Sequence, residues 1–226
     1  MEWMIIRHGE TAGNAKKQYI GVTDQPLTKQ GIRELKEKKA RGCYSKAQKA
    51  LELGAGLFVS PMLRCRETAE LIFPGTPYTL IPELREMDFG EFEGKSYMDL
   101  SQNPEYQKWI DSNGELPFPG GESRETFKNR VLRGVDRIRE IMEGDARADG
   151  EARADGGTKG DAKANGGTSA DGGVSADRDT GPDGTPAKTA VIVAHGGTIM
   201  AANQIFNNGE FYDGLTENGG IRKYTG

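Results

Sequence analysis

The chain has only two histidines. Each closes a short apolar run and is followed at once by glycine: Met4-Ile5-Ile6-Arg7-His8-Gly9 and Val191-Ile192-Val193-Ala194-His195-Gly196. An Ile- and Val-rich run ended by glycine reads as a buried parallel strand, and ligands of open α/β sheets sit at the carboxyl ends of such strands. The two imidazoles are therefore expected in one pocket, although they come from opposite ends of the chain. Arg7, Asn14, Arg64 and Glu86 fall at strand ends or in the first turns of the helices that follow. Two arginines, two histidines and an amide make a site for a tetrahedral dianion, since arginine forks match phosphate oxygens and charge-assisted bonds are the strong ones. A neutral imidazole offers its lone pair to phosphorus at neutral pH without a metal, which makes His8 the candidate nucleophile. Gly9 is expected to leave space for the phosphate, and a charged His195 to help the arginines hold its oxygens. A leaving group then needs a proton. Glu86 is the candidate general acid, and later the base for water, with Asp88 as the fallback.

These side chains need a frame. Gly9 to Pro26 has loop composition, and Thr28 is a plausible N-cap for a helix with a thin apolar stripe at Ile32, Leu35 and Ala40. Leu57-Phe58-Val59 is a second strand. Ser60-Pro61 then reads as an N-cap with proline at the first helical position, for a helix to about Phe73 that holds Arg64 in its first turn. Tyr78 to Ile81 is a third strand candidate, and Glu83 to Glu93 an acidic loop whose Glu83, Glu91 and Glu93 are expected on a wet surface. Phe127, Val131, Val135, Ile138 and Met142 recur at helical spacing, and that helix is expected to stop at Gly144. From Gly144 to Ala187 the chain has eleven glycines and a single large aliphatic residue, Val174. Too little apolar surface is available there to offset ordering entropy, so residues 144–187 read as a low-complexity, disordered insert in a single domain spanning 1–226. Thr189 to Ala194 carries His195, with a helix behind it from Thr198 to Phe206. Strands alternating with helices predict a three-layer α/β/α sandwich around a mostly parallel sheet.

Composition narrows the partners. A net charge of −4 gives no bulk attraction to nucleic acid or anionic lipid. No apolar stretch approaches the roughly 18 residues of a membrane span and no leader-like segment precedes the first strand, so the expected location is cytoplasmic. Cys43 and Cys65 are too few for a disulfide framework, and no His or Cys pair has the spacing of a zinc site, so neither metal nor cofactor is expected. A cysteine phosphatase would need arginine six positions after its thiol, where Cys43 and Cys65 are followed by Lys49 and Leu71. Gly90-Glu91-Phe92-Glu93-Gly94-Lys95-Ser96 is one residue short of a nucleotide phosphate loop and would point two glutamates at the phosphates.

Four motifs in order carry a resemblance: Arg7-His8-Gly9-Glu10-Thr11 with Asn14, Ser60-Pro61-Met62-Leu63-Arg64-Cys65-Arg66-Glu67-Thr68-Ala69, Leu84-Arg85-Glu86-Met87-Asp88-Phe89-Gly90-Glu91-Phe92-Glu93-Gly94, and Ala194-His195-Gly196-Gly197. Together the chain resembles the histidine phosphatase superfamily, with its phosphoglycerate mutase-like fold. The resemblance implies a phosphorylated nucleophile at His8, a phosphate pocket of Arg7, Arg64 and His195 supported by Asn14, and a proton donor at Glu86. Phe89 to Tyr97, Asn103 to Trp109 and Pro117 to Ser123 look like the small phosphatase branch that includes α-ribazole phosphatases of cobalamin synthesis. The longer segment that usually covers the pocket of true mutases has no counterpart here. The insert departs from the family pattern, and the chain ends soon after Gly219-Gly220-Ile221, where relatives often add another strand. The implied activity is metal-independent hydrolysis of a small phosphorylated metabolite. Its rivals are mutase-type phosphoryl transfer to a sugar acid and a catalytically silent sensor of a phosphorylated ligand.

Overall fold

The computed structural model describes residues 1–154 and 188–226. Among these residues five strands and seven α-helices follow one another as β1 (Glu2–Arg7), α1 (Ala12–Ala15), α2 (Lys29–Ala40), α3 (Ser45–Glu52), β2 (Gly56–Val59), α4 (Leu63–Ile72), β3 (Thr79–Leu80), α5 (Pro104–Asp111), α6 (Arg124–Ala154), β4 (Thr189–Ala194), α7 (Gly196–Asn207) and β5 (Ile221–Thr225). The sheet has the order β3-β2-β4-β1-β5, parallel except for the antiparallel edge strand β5.

Side chains alternate across the strands, and each set meets its own helices. Trp3, Ile5, Phe58, Ala190 and Ile192 pack with Phe127, Val131, Val135 and Ile138 of α6 and with Ile199 and Ala202 of α7. Met4, Ile6, Leu57, Val59, Val191 and Val193 pack on the other face with Leu35 of α2, Ala47 of α3, and Cys65, Ala69 and Ile72 of α4. This is the expected three-layer α/β/α sandwich, with β1, β4 and β2 buried on both faces as parallel strands require.

The register matters most at one end of the sheet. Arg7 pairs with Ala194, the His8 N–H donates to Ala194 O at 2.9 Å, and the Ser60 N–H donates to Val193 O at 3.0 Å. The carboxyl ends of three adjacent strands, β2, β4 and β1, therefore finish side by side.

Four boundaries differ from expectation. The helix after β2 begins at Leu63 with Met62 at its N-cap, because the Ser60 hydroxyl turns to a histidine ring instead of capping. The helix from Arg124 passes Gly144 and continues to Ala154, so the first part of the expected 144–187 insert is helical; residues 155–187 lie outside the described residues. A strand does follow Gly219-Gly220: β5 pairs with β1 from Ile6↔Ile221 to Glu2↔Thr225. Helix α3 escapes the apolar pattern because Ala47 is its only buried residue. Among the described residues no helix is long and apolar enough to cross a membrane.

Candidate active site

His8 and His195 leave the adjacent ends of β1 and β4 with their rings 5.2 Å apart, edge to face. Both are buried. His8 Nδ1 lies 2.7 Å from Gly9 O. A carbonyl only accepts, so Nδ1 carries the proton and Nε2 carries the lone pair. Burial is the largest influence on this ring, followed by the Arg64 charge, and together they push its pKa well below the ordinary histidine value of 6.5.

His195 takes the opposite tautomer. Arg64 Nε donates to its Nδ1 at 3.3 Å, so Nε2 holds the proton and donates to Ser60 Oγ at 2.8 Å. Its pKa is also held well below 6.5, by burial first and then by Arg64, His8 and Arg7. In the free site, therefore, positive charge resides on the guanidinium groups and burial beside them disfavours the charged form of His195.

Arg64 is 1% exposed. Besides His195 it holds Thr23 O through Nη1 and Gly21 O through Nη2, both at 3.0 Å. That loop is fixed from its other side by the Glu93 carboxylate, which accepts from the N–H groups of Gly21 and Thr23. Glu93 is thus a structural clamp rather than the wet surface residue expected. The Cys65 thiol lies 3.5 Å from His195 Nε2 and burial pushes it up to about 12, so it is a neutral packing group there.

Arg7 and Glu86 line one cavity together with Gly196 and Gly197. Arg7 donates to Thr216 O at 2.6 Å, and its buried Nε has no partner. The Glu86 carboxylate accepts from Met87 N at 2.9 Å and from Gly197 N, at the start of α7, at 3.2 Å. Burial raises its pKa above the ordinary carboxylate value, against the opposing pull of those bonds and of Arg64 and Arg7. Glycine at 197 lets the Glu86 carboxylate keep this place, since a Cβ there would overlap Glu86 Oε1.

Other expectations shift. The missing side chain of Gly9 makes room for Leu35, whose Cδ1 would be 2.6 Å from a Cβ, so that glycine serves packing. Asn14 Oδ1 accepts from Thr11 N, Thr11 Oγ1 and Asn218 Nδ2, leaving its own Nδ2 for a ligand. Asn218 also donates to His8 O and ties Asn14 to the nucleophile candidate. Asp88 lies outside the cavity lining, its Oδ1 accepting from Gly90 N.

Three further positioning groups have roles that spacing alone does not give: Ser60 beneath His195, read from sequence only as a cap, Asn218, and the pair Arg130–Glu122. Arg130 sits on the buried stripe of α6 and donates to Glu83 O, Arg85 O and Glu86 O while its Nε and Nη2 hold the Glu122 carboxylate. Burial works against Glu122, but Arg130 and the Asp88 N–H outweigh it and hold that carboxyl below its ordinary range. A charged residue on an otherwise apolar helical face is the signal that could have found Arg130. Among the described residues, no group of three or more His, Cys, Asp or Glu is disposed to hold a metal ion.

Comparison with known proteins gives this geometry a context. A family model described as Histidine phosphatase superfamily (branch 1) matches residues 3–147. The chain is 32% identical over 142 residues to the adenosylcobalamin/alpha-ribazole phosphatase of Salmonella typhimurium, covering 61% of this chain and 67% of that one. It is also 32% identical over 145 residues to a Cronobacter sakazakii protein named "Probable phosphoglycerate mutase GpmB", covering 62% and 64%. Among solved structures, a phosphoglycerate mutase from Thermus thermophilus superposes with a TM-score of 0.60 at 26% identity, covering 99% of this chain and 92% of that one.

Proposed function

We propose, from the premise that this chain belongs to the histidine phosphatase superfamily, branch 1, that it hydrolyses a small phosphomonoester through a phosphohistidine on His8, without a metal. The observation that carries the reading is the meeting of two neutral imidazoles beside two arginines and a carboxyl of raised pKa.

In the first step His8 Nε2 attacks phosphorus as the bond from phosphorus to the ester oxygen breaks, and protonated Glu86 gives its proton to that oxygen. In the second, the Glu86 carboxylate takes a proton from water, the water oxygen bonds to phosphorus, and the phosphorus–nitrogen bond breaks. His8 is returned neutral and Glu86 protonated. Arg7, Arg64 and Asn14 bind the phosphoryl oxygens, joined by the Nε2–H of His195, which rests on Ser60 Oγ in the free site. The developing charge on those oxygens is the main thing a protein can stabilise in this chemistry. Burial favours the protonated Glu86 that the first step requires.

Similarity to the Salmonella enzyme makes α-ribazole phosphate the first metabolite to assay. Similarity to proteins named as mutases keeps transfer to a sugar acid as the second reading. The test is turnover of p-nitrophenyl phosphate in EDTA, with alkaline quenching, under which a phosphohistidine survives. Expected are phosphate release, labelling of His8, and loss of both in His8→Ala. Absence of turnover by the parent protein favours the silent sensor, loss of activity in EDTA removes the metal-free step, and, in a parallel assay with 3-phosphoglycerate as substrate, isomerised phosphoglycerate in place of free phosphate establishes the mutase.

A further inference from the structure

The cavity beside Arg7 and Glu86 has a volume of about 180 Å³, near the roughly 150 Å³ that accepts one benzene ring in an apolar protein interior. Its lining is mostly carbon. Trp109 and Phe118 come from the segment that follows the Glu86 loop, and Met200, Phe211 and Leu215 from α7 and the turn after it. The aromatic side is a packed set and not a loose flap: Trp109 stacks on Phe118 with centroids 4.9 Å apart, and Phe89 meets Phe118 at 5.0 Å with its ring perpendicular. Gly114 lies between the two sides: a Cβ there would overlap the Tyr212 hydroxyl and lie 3.0 Å from Trp109, so a larger residue would need one of them to move.

The charged groups of the lining are as telling as its carbon. Two cations reach it, Arg7 and Arg124. Arg7 has a free Nε for a phosphoryl oxygen. Arg124 is already occupied, donating to Glu115 Oε1 at 2.6 Å and to Asn113 O at 2.5 Å while its guanidinium lies 5.2 Å from the ring centroids of both Phe211 and Tyr212. With Arg7 turned to the phosphoryl group, a leaving group that carried a carboxylate would have to share Arg124 with Glu115, its partner at 2.6 Å.

We propose that this cavity is the leaving-group subsite and selects an uncharged aromatic ring, so that the chain prefers phosphate esters of ring-bearing alcohols to those of sugar acids. Trp109 and Phe118 are the specificity-determining residues, and Arg124 is a rim latch rather than an anion ligand. The preference in turnover rests on the phosphomonoesterase reading; the binding of the ring does not.

The experiment separates the two. Benzylphosphonate and methylphosphonate, which cannot be hydrolysed, are titrated against the full chain by calorimetry. Benzylphosphonate is expected to bind at least about tenfold more tightly, equivalent to ~1.4 kcal/mol. That advantage disappears in Trp109→Ala. Benzyl phosphate and glycerol 3-phosphate, both esters of alkyl alcohols, are then compared in kcat/KM, with at least about tenfold in favour of the ring. Leu215→Lys, a half-exposed change at the lining, places a free cation there and is expected to raise 3-phosphoglycerate turnover relative to benzyl phosphate. Equal affinity for the two phosphonates, no binding of either, or a parent preference for 3-phosphoglycerate overturns the subsite. Ring-dependent binding with no turnover of any ester leaves the subsite standing and removes the phosphomonoesterase reading.

Discussion

Glu86 is a carboxyl whose charge is disfavoured where it sits and whose proton the chemistry needs. Its folded pKa is raised by burial, so the charged form burdens the folded state at pH values above that pKa, and the burden vanishes once both folded and unfolded chains are protonated, below the ordinary carboxylate value of about 4.3. Glu86→Gln is therefore expected to raise stability at pH 7 and to have no effect at about pH 3.5, read by urea titration at the two values. The same variant should lose about 10²-fold or more in kcat on alkyl phosphates, the usual size of a positioned proton donor's contribution. A stability gain that persists at the acidic value would show that packing, not ionisation, is responsible. Gly197→Ala probes the same carboxyl from its other side. The added methyl would overlap Glu86 Oε1, so kcat is expected to fall by about tenfold or more with a small change in KM for benzyl phosphate, the cost of misplacing a positioned proton donor. Unchanged kcat would mean the carboxyl has another working position.

At the scale of elements, the segment carrying Glu86 is not a regular helix or strand at that residue, and its backbone is held from outside. Arg130 binds three of its carbonyls and completes a buried ion pair with Glu122. Breaking a buried pair by removing one partner costs about 3–5 kcal/mol. Because Glu122 is only partly buried, Arg130→Met should lower stability by at most about that amount and move the alkaline limb of the pH–kcat profile, since a loosened loop changes the burial of Glu86. The double variant Arg130→Met with Glu122→Leu should recover stability but not the profile, and recovery of both would make Arg130 merely structural. Legibility in the sequence follows from how each element is held. The strands carrying His8 and His195 were readable because sheets buried on both faces demand continuous Ile and Val. Helix α6 was readable from its stripe, Arg7, His8, Arg64 and His195 from their places at element ends, and Glu86 only from the Leu84–Gly94 motif, since its segment is irregular there. Ser60 misled because serine before proline has the right chemistry for a cap, and only tertiary structure shows its hydroxyl engaged by His195. Arg130, Asn218 and Glu93 act on backbone groups far away in sequence, and no local pattern encodes such a partner. Nor does local pattern reveal β5, whose alternation is broken by exposed Arg222 and Lys223 at an edge.

Across the whole molecule, the sheet brings the two ends of the chain together, with β5 paired to β1 and the Met1 ammonium donating to Gly226 O at 2.9 Å. The convergence of His8 with His195 is thus a property of the folded sheet, and global stability should report it through proton uptake. Both rings are held below 6.5 when folded, while the unfolded chain binds their protons near 6.5. Their stabilising effect is complete above that pH and is lost as pH falls toward the folded values, by up to about 1.4 kcal/mol per pH unit for each ring. Glu86 has the opposite sign, so the measurement is cleanest in the Glu86→Gln background, where unfolding free energy is expected to decline steadily from about pH 6.5 to about 5.5. Because the chain has two histidines, the imidazole C2–H signals of the folded protein can be followed by NMR without dilution by others. Neither should show a midpoint near 6.5, the ordinary histidine value. Saturating inorganic phosphate, by placing a dianion between the guanidinium groups and the rings, should raise at least one of those midpoints. A ring that titrates at about 6.5 or above in the free protein would mean that the pair is not buried beside Arg64 as described, and the nucleophile would then require a separate base to be neutral at mildly acidic pH.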